Sequence, residues 1–267
     1  MLSMWKRNRL GILDAVVIIL CPVIASLTSF FLNANAFASI ALFFGIPALY
    51  LSVRNFEHVR KSATFSLYTS IPAIIVIDYI AHATGQWLIP ESILPWRLFG
   101  YVSIEVIFWA FLNFYAVVIF YEYFLAHHHS KRIWNRRGRQ LLVFILGASL
   151  MFLTLFFVYP SALSIPYFYL LFGVLLILLP IVKELTDHPK LLTNFLITAV
   201  YFFYLSFLYE ITALKLDWWS FPSEQFIGKV TLLGVTFPFE ELLFWLMLFA
   251  MAVLVFYEHF TGNLKQA

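Results

Sequence analysis

Two acids followed by aromatic rings open the last long apolar segment of the chain. Pro238, Glu240 and Glu241 come at its start, and Phe244 and Trp245 follow one turn later. In a helix, Glu241, Phe244 and Trp245 share one face, so a carboxyl group would lie beside two rings. Apolar surroundings favour the neutral acid, which can donate a proton, and ring faces stabilise a cation. The pattern predicts acid catalysis, although a proline followed by two acids is also a good first turn of a helix.

A similar segment occurs in the first half of the chain. Residues 105–124 and 241–260 agree at 10 of 20 positions without a gap. The matched pairs include Glu105 with Glu241, Phe108 with Phe244, and Trp109 with Trp245. A shared hydrophobic pattern does not by itself reproduce acids and tryptophans, so the match indicates an internal repeat. Carboxyl groups inside a membrane are costly, which makes both acids candidate functional residues.

Further landmarks recur in the same order upstream of each segment. The spacing of Asp78, Trp87 and Pro90 is repeated by Glu210, Trp219 and Pro222. Each set predicts a helix that ends on an acid, followed by a short loop beginning W-x-x-P. Acids from successive helices that meet at one level of a membrane could form a proton relay. Alternatively, Asp78 lies one turn before His82 and could simply pair with it.

The first half keeps only one acid of the motif. Ser103, Ile104, Glu105 and Val106 stand where the second half has Pro238, Phe239, Glu240 and Glu241. This difference favours either one site in the second half or a site that the two halves share. Further along the same two segments, Glu122 and Glu258 lie in aromatic surroundings about 25 Å from the motif, at 1.5 Å per residue. They are predicted to be interfacial anchors in an aromatic belt.

Composition sets the elements that must position these residues. The chain has 267 residues, of which 63% are hydrophobic and only 12% are charged. A soluble globular domain is far less apolar. Runs long enough to cross a bilayer lie at residues 10–32, 37–53, 67–83, 102–125, 141–159, 165–182, 191–209 and 235–260. The sequence therefore predicts an all-α, polytopic membrane protein with about eight transmembrane helices.

The distribution of charge predicts the topology. Of 17 Lys and Arg residues, 14 fall on one side of the predicted spans, which puts both termini in the cytoplasm. Four helices precede the central basic segment and four follow it, so residues 1–138 and 139–267 are predicted to be two parallel four-helix repeats. The first apolar run is longer than the core of a signal peptide and predicts a retained helix in the cell membrane. The net charge of +3 is explained by these loops and anionic lipid, and nothing indicates nucleic-acid binding.

Residues for cofactor or metal chemistry are sparse. Cys21 is the single cysteine, so a disulfide and a cysteine-based metal site are excluded. The run His127, His128 and His129 suits a metal only weakly, because neighbouring helical residues point in different directions. The glycines form neither a dinucleotide-binding nor a phosphate-binding motif. We expect no cofactor and no metal.

The acidic motif and its upstream loop resemble the lycopene cyclase domain, an all-helical membrane family. The residues that carry the resemblance are the acid Glu210, the loop Trp219, Ser220, Phe221 and Pro222, then Gly234, and the motif Pro238, Glu240, Glu241 and Phe244. The resemblance covers the last two helices well, the matching part of the first half loosely, and the rest only by hydropathy and helix count.

This resemblance implies that a linear ψ-end of a carotenoid is cyclised to a β-ionone ring without any redox step. It implies that Glu241 or Glu240 is the acid and the other its partner or base, with Glu105, Glu210 and Asp78 as further candidates. The predicted substrate-binding residues are Phe244, Trp245, Trp109, Phe108, Trp219 and Trp87, and the structural ones are Pro238, Pro222 and Gly234. The implied partners are an apolar carotenoid that enters from the bilayer, membrane lipids, and other enzymes of the carotenoid pathway.

Two other classes of function stay open. A carotenoid hydratase would share the protonating acid, but water rather than the internal alkene would capture the cation. A proton-coupled transporter or a non-enzymatic membrane subunit could also place acids at the membrane rim. Transporters usually carry broken helices or polar groups at mid-bilayer, where this chain has little beyond Asn113, which is predicted to form an interhelical hydrogen bond.

Overall fold

Eight long helices build the protein in a computed structural model that describes residues 2–126 and 136–261. They are α1 (Leu2–Leu32), α2 (Ala36–Arg54), α3 (Phe56–Ala83), α4 (Ile104–Phe124), α5 (Arg136–Val158), α6 (Phe168–Asp187), α7 (Pro189–Lys215) and α8 (Glu241–Thr261). The structure is 77% helical, and eight described helices are long and apolar enough to cross a membrane. The predicted all-α, polytopic architecture is confirmed. The predicted run His127, His128 and His129 lies outside the described residues, as does part of the basic segment.

Most predicted spans fall inside or close to the observed helices, and the starts of α1, α3 and α8 differ most from the prediction. In lipid a helix satisfies its own backbone hydrogen bonds, so it continues past polar residues where a hydropathy pattern ends. For this reason α3 begins at Phe56 rather than at residue 67, and its first turns include Arg60 and the buried Lys61. In contrast, α8 begins later than residue 235, because the chain forms a β-hairpin there.

The hairpin joins the loop after α7 to α8. Strand β1 (Lys229–Leu232) pairs antiparallel with β2 (Val235–Pro238), with Lys229 opposite Pro238. Leu233 and Gly234 have φ angles of 51° and 81°, the positive pair that a two-residue hairpin turn requires. The prediction that Pro238 lies in the first helical turn is therefore wrong. Pro238 is the last residue of β2, where its missing N–H removes no hydrogen bond from the interior of the hairpin.

Three of the described helices contain a widened turn with i→i+5 hydrogen bonds. These turns are Ala41–Gly45 in α2, Gly173–Leu178 in α6 and Glu241–Leu248 in α8. In α2 and α6 the widened turn directly precedes Pro47 and Pro180. A proline inside a helix removes one hydrogen bond and crowds the preceding turn, and a wider turn relieves that crowding. The second helix of each predicted repeat thus shares a distortion that sequence comparison did not detect.

The two halves contact each other through reciprocal pairs of equivalent residues. Leu88 and Ser220, each directly after the loop tryptophan, exchange backbone hydrogen bonds of 3.0 and 2.9 Å. At the opposite end of the bundle, the Tyr121 hydroxyl donates to Glu258 at 2.8 Å, and the Tyr257 hydroxyl donates to Glu122. Exchanges of this kind indicate a pseudo-twofold axis that runs along the bundle. The predicted boundary at residue 138 falls within the first turns of α5.

We call the two ends of the bundle the loop end and the basic end. The loop end carries the segments 84–103 and 216–238, and the basic end carries Arg54, Arg136 and Lys190. Glu122 and Glu258 lie at the basic end with only 1% and 4% of their surfaces exposed. Their prediction as interfacial anchors is wrong, because the reciprocal tyrosines and the Lys61 ammonium, 2.7 Å from Glu122, draw them inward.

Candidate active site

A cavity near the loop end contains two acids, and we call it the acid chamber. Its lining comprises Phe44, Trp87, Trp109, Asn113, Tyr169, Ser206, Tyr209, Glu210, Trp219, Glu241, Trp245 and Leu246, and its volume is about 30 Å³. Helices α2, α4, α6, α7 and α8 supply these side chains together with the two W-x-x-P loops. Both halves of the chain therefore contribute to one site.

The two acids of the chamber differ in their hydrogen bonding. Glu210 lies near the end of α7, and the Trp219 indole N–H donates to its Oε1 at 3.1 Å. Glu241 begins α8, is buried, and forms no hydrogen bond within the described part of the chain. A donated hydrogen bond stabilises a carboxylate, whereas an apolar surrounding without one favours the neutral acid. The chamber thus holds two carboxyl groups in unlike environments.

Four tryptophans enclose these acids. The Trp87 ring centroid lies 6.0 Å from that of Trp219 and 6.2 Å from that of Trp109, and Trp109 lies 6.2 Å from Trp245. The indole nitrogens of Trp87, Trp109 and Trp245 are buried and have no hydrogen-bond partner in the described structure. The buried Tyr209 hydroxyl likewise has none. The chamber therefore combines aromatic walls with several unused donors.

Two predicted binding residues lie outside the chamber. Phe108 stacks on Phe37 with ring centroids 4.5 Å apart. Phe244 packs against the backbone of α6, where a methyl group at Gly173 would lie 2.1 Å from its ring. The prediction that Glu241, Phe244 and Trp245 share one face is right for Trp245 and wrong for Phe244. The widened turn changes the angular step between residues and carries Phe244 off that face.

Glu240 and Glu105 have a common role at the start of their helices. Glu240 is fully buried, and its Oε1 accepts a hydrogen bond of 2.7 Å from the backbone N–H of Ile227. Glu105 accepts hydrogen bonds from the backbone N–H of Ile93 and, at 2.8 Å, from the hydroxyl of Ser92. Each acid therefore fixes the loop before its own helix. Neither lines the acid chamber.

The structural counterpart of Glu105 is Glu240 rather than Glu241. The widened turn Glu241–Leu248 accommodates an additional residue, whereas α4 is regular throughout. Equivalent residues of α4 and α8 are consequently 135 positions apart in the sequence at the first turn and 136 positions apart beyond the widened turn. Val106 is then the counterpart of Glu241. The ungapped sequence match paired Glu105 with Glu241 because it assumed the same helical geometry in both segments.

Asp78 does not line the acid chamber, although it interacts electrostatically with Tyr169, which does. It is buried, and its Oδ2 has no hydrogen-bond partner among the described residues. Its predicted alternative, a pair with His82, is not formed there, since the His82 ring stacks on Tyr101 at 4.8 Å. The structure brings Glu210 and Glu241 together and leaves Asp78 and Glu105 outside.

Several chamber residues were missed by the sequence analysis. Asn113, predicted to form an interhelical hydrogen bond, lines the chamber and forms none within the described ranges. It lies one turn after Trp109, so this spacing was a signal that could have identified it. Tyr169, Ser206 and Tyr209 carry no comparable signal, because only the packing of α6 and α7 brings them to Glu210.

The W-x-x-P loop of the second half, residues 219–222, packs against the first half. Trp219 and Phe221 are buried, and Pro222 is exposed beside them. The backbone N–H of the next residue, Ser223, donates to the carbonyl of Gly85 in the other half. Gly234 precedes the last helix as predicted, and it lies in the hairpin turn rather than directly before the helix. The loop therefore ties the two halves together above the chamber.

A second cavity, which we call the apolar groove, shares Trp109 and Trp245 with the acid chamber. It is lined by residues from segments 69–77, 109–114, 141–149, 168–177 and 245–256, and its volume is about 230 Å³. Phe144 and Leu176 line it and are also exposed on the outer surface of the bundle, so the groove opens sideways.

A search for grouped metal ligands and comparisons with known proteins complete the description of the site. In the portion of the chain that is described, no three His, Cys, Asp or Glu side chains are grouped as metal ligands. Comparison with protein-family models, with curated proteins and with solved structures found no match.

Proposed function

We propose that this protein is a membrane enzyme that cyclises the linear ψ-end of a carotenoid to a β-ionone ring. The observation that carries the proposal is the burial of Glu210 and Glu241 in one chamber walled by four tryptophans. The resemblance of the motif to the lycopene cyclase domain supplies the substrate class. The proposal includes a location in the cell membrane with both termini in the cytoplasm.

The reaction consists of one proton donated and one proton removed. Glu241 protonates the terminal double bond of the substrate, which forms a C–H bond and a tertiary cation. The internal alkene attacks this cation, closes the ring and moves the positive charge onto a ring carbon. Glu210 accepts a proton from the neighbouring carbon, and the electrons of that C–H bond form the ring double bond. No electron is gained or lost, so no redox cofactor is required.

The surroundings of the acids support this division of roles. The hydrogen bond from Trp219 makes Glu210 the more readily ionised of the two buried acids, which suits a base. Glu241 lacks such a bond and is buried beside Trp245, which suits a neutral donor. The indole faces stabilise the intermediate cation. Release of this proton from Glu210 to solvent and uptake of a solvent proton by Glu241 ready the site for another turnover.

Hydration is the second candidate, and the unused donors favour it. A chamber of about 30 Å³ exceeds the space that a single water molecule needs, about 10–15 Å³. Asn113, Tyr209 and the indole nitrogens would bind such a water. If that water captures the tertiary cation before the alkene does, the product carries a hydroxyl group in place of a ring. The same acid would serve both reactions.

Expression in bacteria that accumulate lycopene tests the proposal. We expect carotenoids with one or two β-ionone rings in the pigment extract, alongside protein detected in the membrane fraction. Hydroxylated linear carotenoids would instead support the hydratase. Unchanged lycopene with an intact, inserted protein would reject both enzymes, and a proton-dependent flux in vesicles would then favour the transporter.

A further inference from the structure

We propose that the apolar groove binds the linear polyene chain of the substrate and directs its reacting end group at the acid chamber, which at about 30 Å³ must widen to admit it. This inference rests on the proposed function and adds a second binding site to it. The ligand class is a long hydrocarbon chain without charges or hydrogen-bonding groups.

The course of the groove matches such a chain. Along α8 it extends from Trp245 to Phe256, eleven residues or about 16 Å at 1.5 Å per residue. Its upper end meets the chamber at Trp109 and Trp245, which line both cavities. Because its side is open at Phe144, a chain can enter from lipid and extend away from the chamber.

The chemistry of the wall selects hydrocarbon. Aromatic rings such as Phe144, Phe172 and Phe249 form much of it. Two of its three hydroxyl groups are already used, since Thr69 donates to Phe65 O at 2.6 Å and Ser149 donates to Ile145 O at 2.9 Å, and only that of Ser70 has no partner in the described structure. A polar chain would lose its hydration and gain few partners here, whereas a polyene has no polar group to desolvate.

The pseudo-twofold axis explains why the groove binds without reacting. Ile74 and Ile77 of the groove are equivalent to Ser206 and Tyr209 of the chamber, 132 positions further along the chain. Phe249 of the groove is likewise equivalent to Asn113 of the chamber, 136 positions earlier. The groove is therefore an apolar counterpart of the chamber. No acid lines it, so each chain has one reacting site and one holding site.

The size of the groove indicates partial rather than complete enclosure. Pockets that enclose a whole small ligand usually measure about 300–1,000 Å³. The groove, at about 230 Å³, takes only the part of the chain next to the reacting end. The remainder of the substrate lies in the bilayer. Binding energy from this remote part orients the end group in the chamber and thereby supports turnover.

Filling the groove should therefore impair long substrates selectively. Ala148→Trp places a large ring in the groove, and Leu150→Trp is the matched control, because Leu150 is on the same helix, is 67% exposed and does not line it. Each variant is assayed with a long linear carotenoid and with a short isoprenoid that has the same terminal group. We expect Ala148→Trp to lower kcat/KM for the long substrate at least about tenfold and to leave the short one near its original value.

Binding can be measured without chemistry in the same two variants. Each is combined with Glu241→Gln, and the linear carotenoid retained per molecule of purified protein is measured by absorbance. We expect the Ala148→Trp combination to retain less pigment than the Leu150→Trp combination. Equal retention, equal kcat/KM in the two variants, or loss of long and short substrates alike would overturn the inference. If the unaltered protein converts neither substrate, the proposed function fails, and pigment retention alone decides the role of the groove.

Discussion

At the residue scale, adjacent carboxyl groups have separate tasks. Consecutive residues at a helix start point about 100° apart, since 3.6 residues make a turn. Glu240 thereby reaches the Ile227 backbone, and Glu241 reaches the chamber. The sequence predicted that one of the pair is an acid and the other its partner. In the structure, the acid that shares the chamber with Glu241 is Glu210, which comes from a different helix.

Removing either chamber acid should abolish turnover and spare the fold. Glu241→Gln and Glu210→Gln keep the side-chain volume but can no longer donate or accept the proton. We expect ring formation to fall at least about hundredfold, the usual range for general acid–base groups. Pigment chromatography normalised to inserted protein measures this. Glu224→Gln is the control, because that side chain is 89% exposed and should change nothing; normal turnover in Glu241→Gln would contradict the assignment.

Glu240→Gln should instead reduce stability. The amide oxygen can still accept from the Ile227 N–H, but its NH2 group would replace Glu240 Oε2, which is buried without a hydrogen-bond partner in the described structure, and a buried unsatisfied donor costs about 1–3 kcal/mol. We expect a lower melting temperature in detergent, with turnover per folded molecule close to that of the unaltered protein. A stable Glu240→Gln protein without turnover would show that Glu240, and not only Glu241, takes part in the chemistry.

At the element scale, the widened turn of α8 decides which acid enters the chamber. Hydropathy was sufficient to predict this helix, and the repeat was sufficient to single out its acids and Trp245 as candidate site residues. The additional residue in the turn could not be predicted, because i→i+5 bonding depends on packing with another element. Here Phe244 of α8 fits against Gly173 in the widened turn of α6. No pattern in the sequence around either residue predicts that contact.

Gly173→Ala should therefore destabilise the protein, although alanine is the better helix former by about 1 kcal/mol. Its methyl group would meet the Phe244 ring at 2.1 Å. Gly147→Ala is the control, since nothing lies within 4 Å of a methyl group there. We expect a lower melting temperature for Gly173→Ala only, with partial recovery in the double variant with Phe244→Leu. Equal melting temperatures for the two alanine variants would contradict this packing.

At the scale of the whole molecule, the pseudo-twofold axis assembles the site from both halves. The sequence predicted parallel repeats, but it treated the first half mainly as a weaker copy of the second. In the structure, Trp87, Trp109 and Asn113 of the first half complete the chamber around the acids of the second. Their proximity follows from the reciprocal contacts across the axis, such as Leu88 with Ser220. Such contacts join residues 132 or more positions apart and leave no local pattern.

The network at the basic end should contribute strongly to the stability of the protein. Glu122→Gln leaves the Lys61 ammonium buried without its charge partner, and breaking a buried pair costs about 3–5 kcal/mol. The exposed pair of Asp187 with Lys183 provides the control, because Asp187→Asn should cost less than about 1 kcal/mol. Thermal unfolding in detergent measures both. Lys61→Met added to Glu122→Gln should restore part of the loss, and similar melting temperatures for the two single variants would refute the importance of the pair.

Isotope labelling in heavy water tests the central claim, that an exchangeable carboxyl proton starts the reaction. Membranes containing the protein are equilibrated in heavy water and supplied with linear carotenoid, and the product is analysed by mass spectrometry. The account predicts one deuterium atom per ring formed, and no labelled ring from membranes that contain Glu241→Gln. Unlabelled rings, or labelled rings formed at the normal rate by Glu241→Gln, would contradict it.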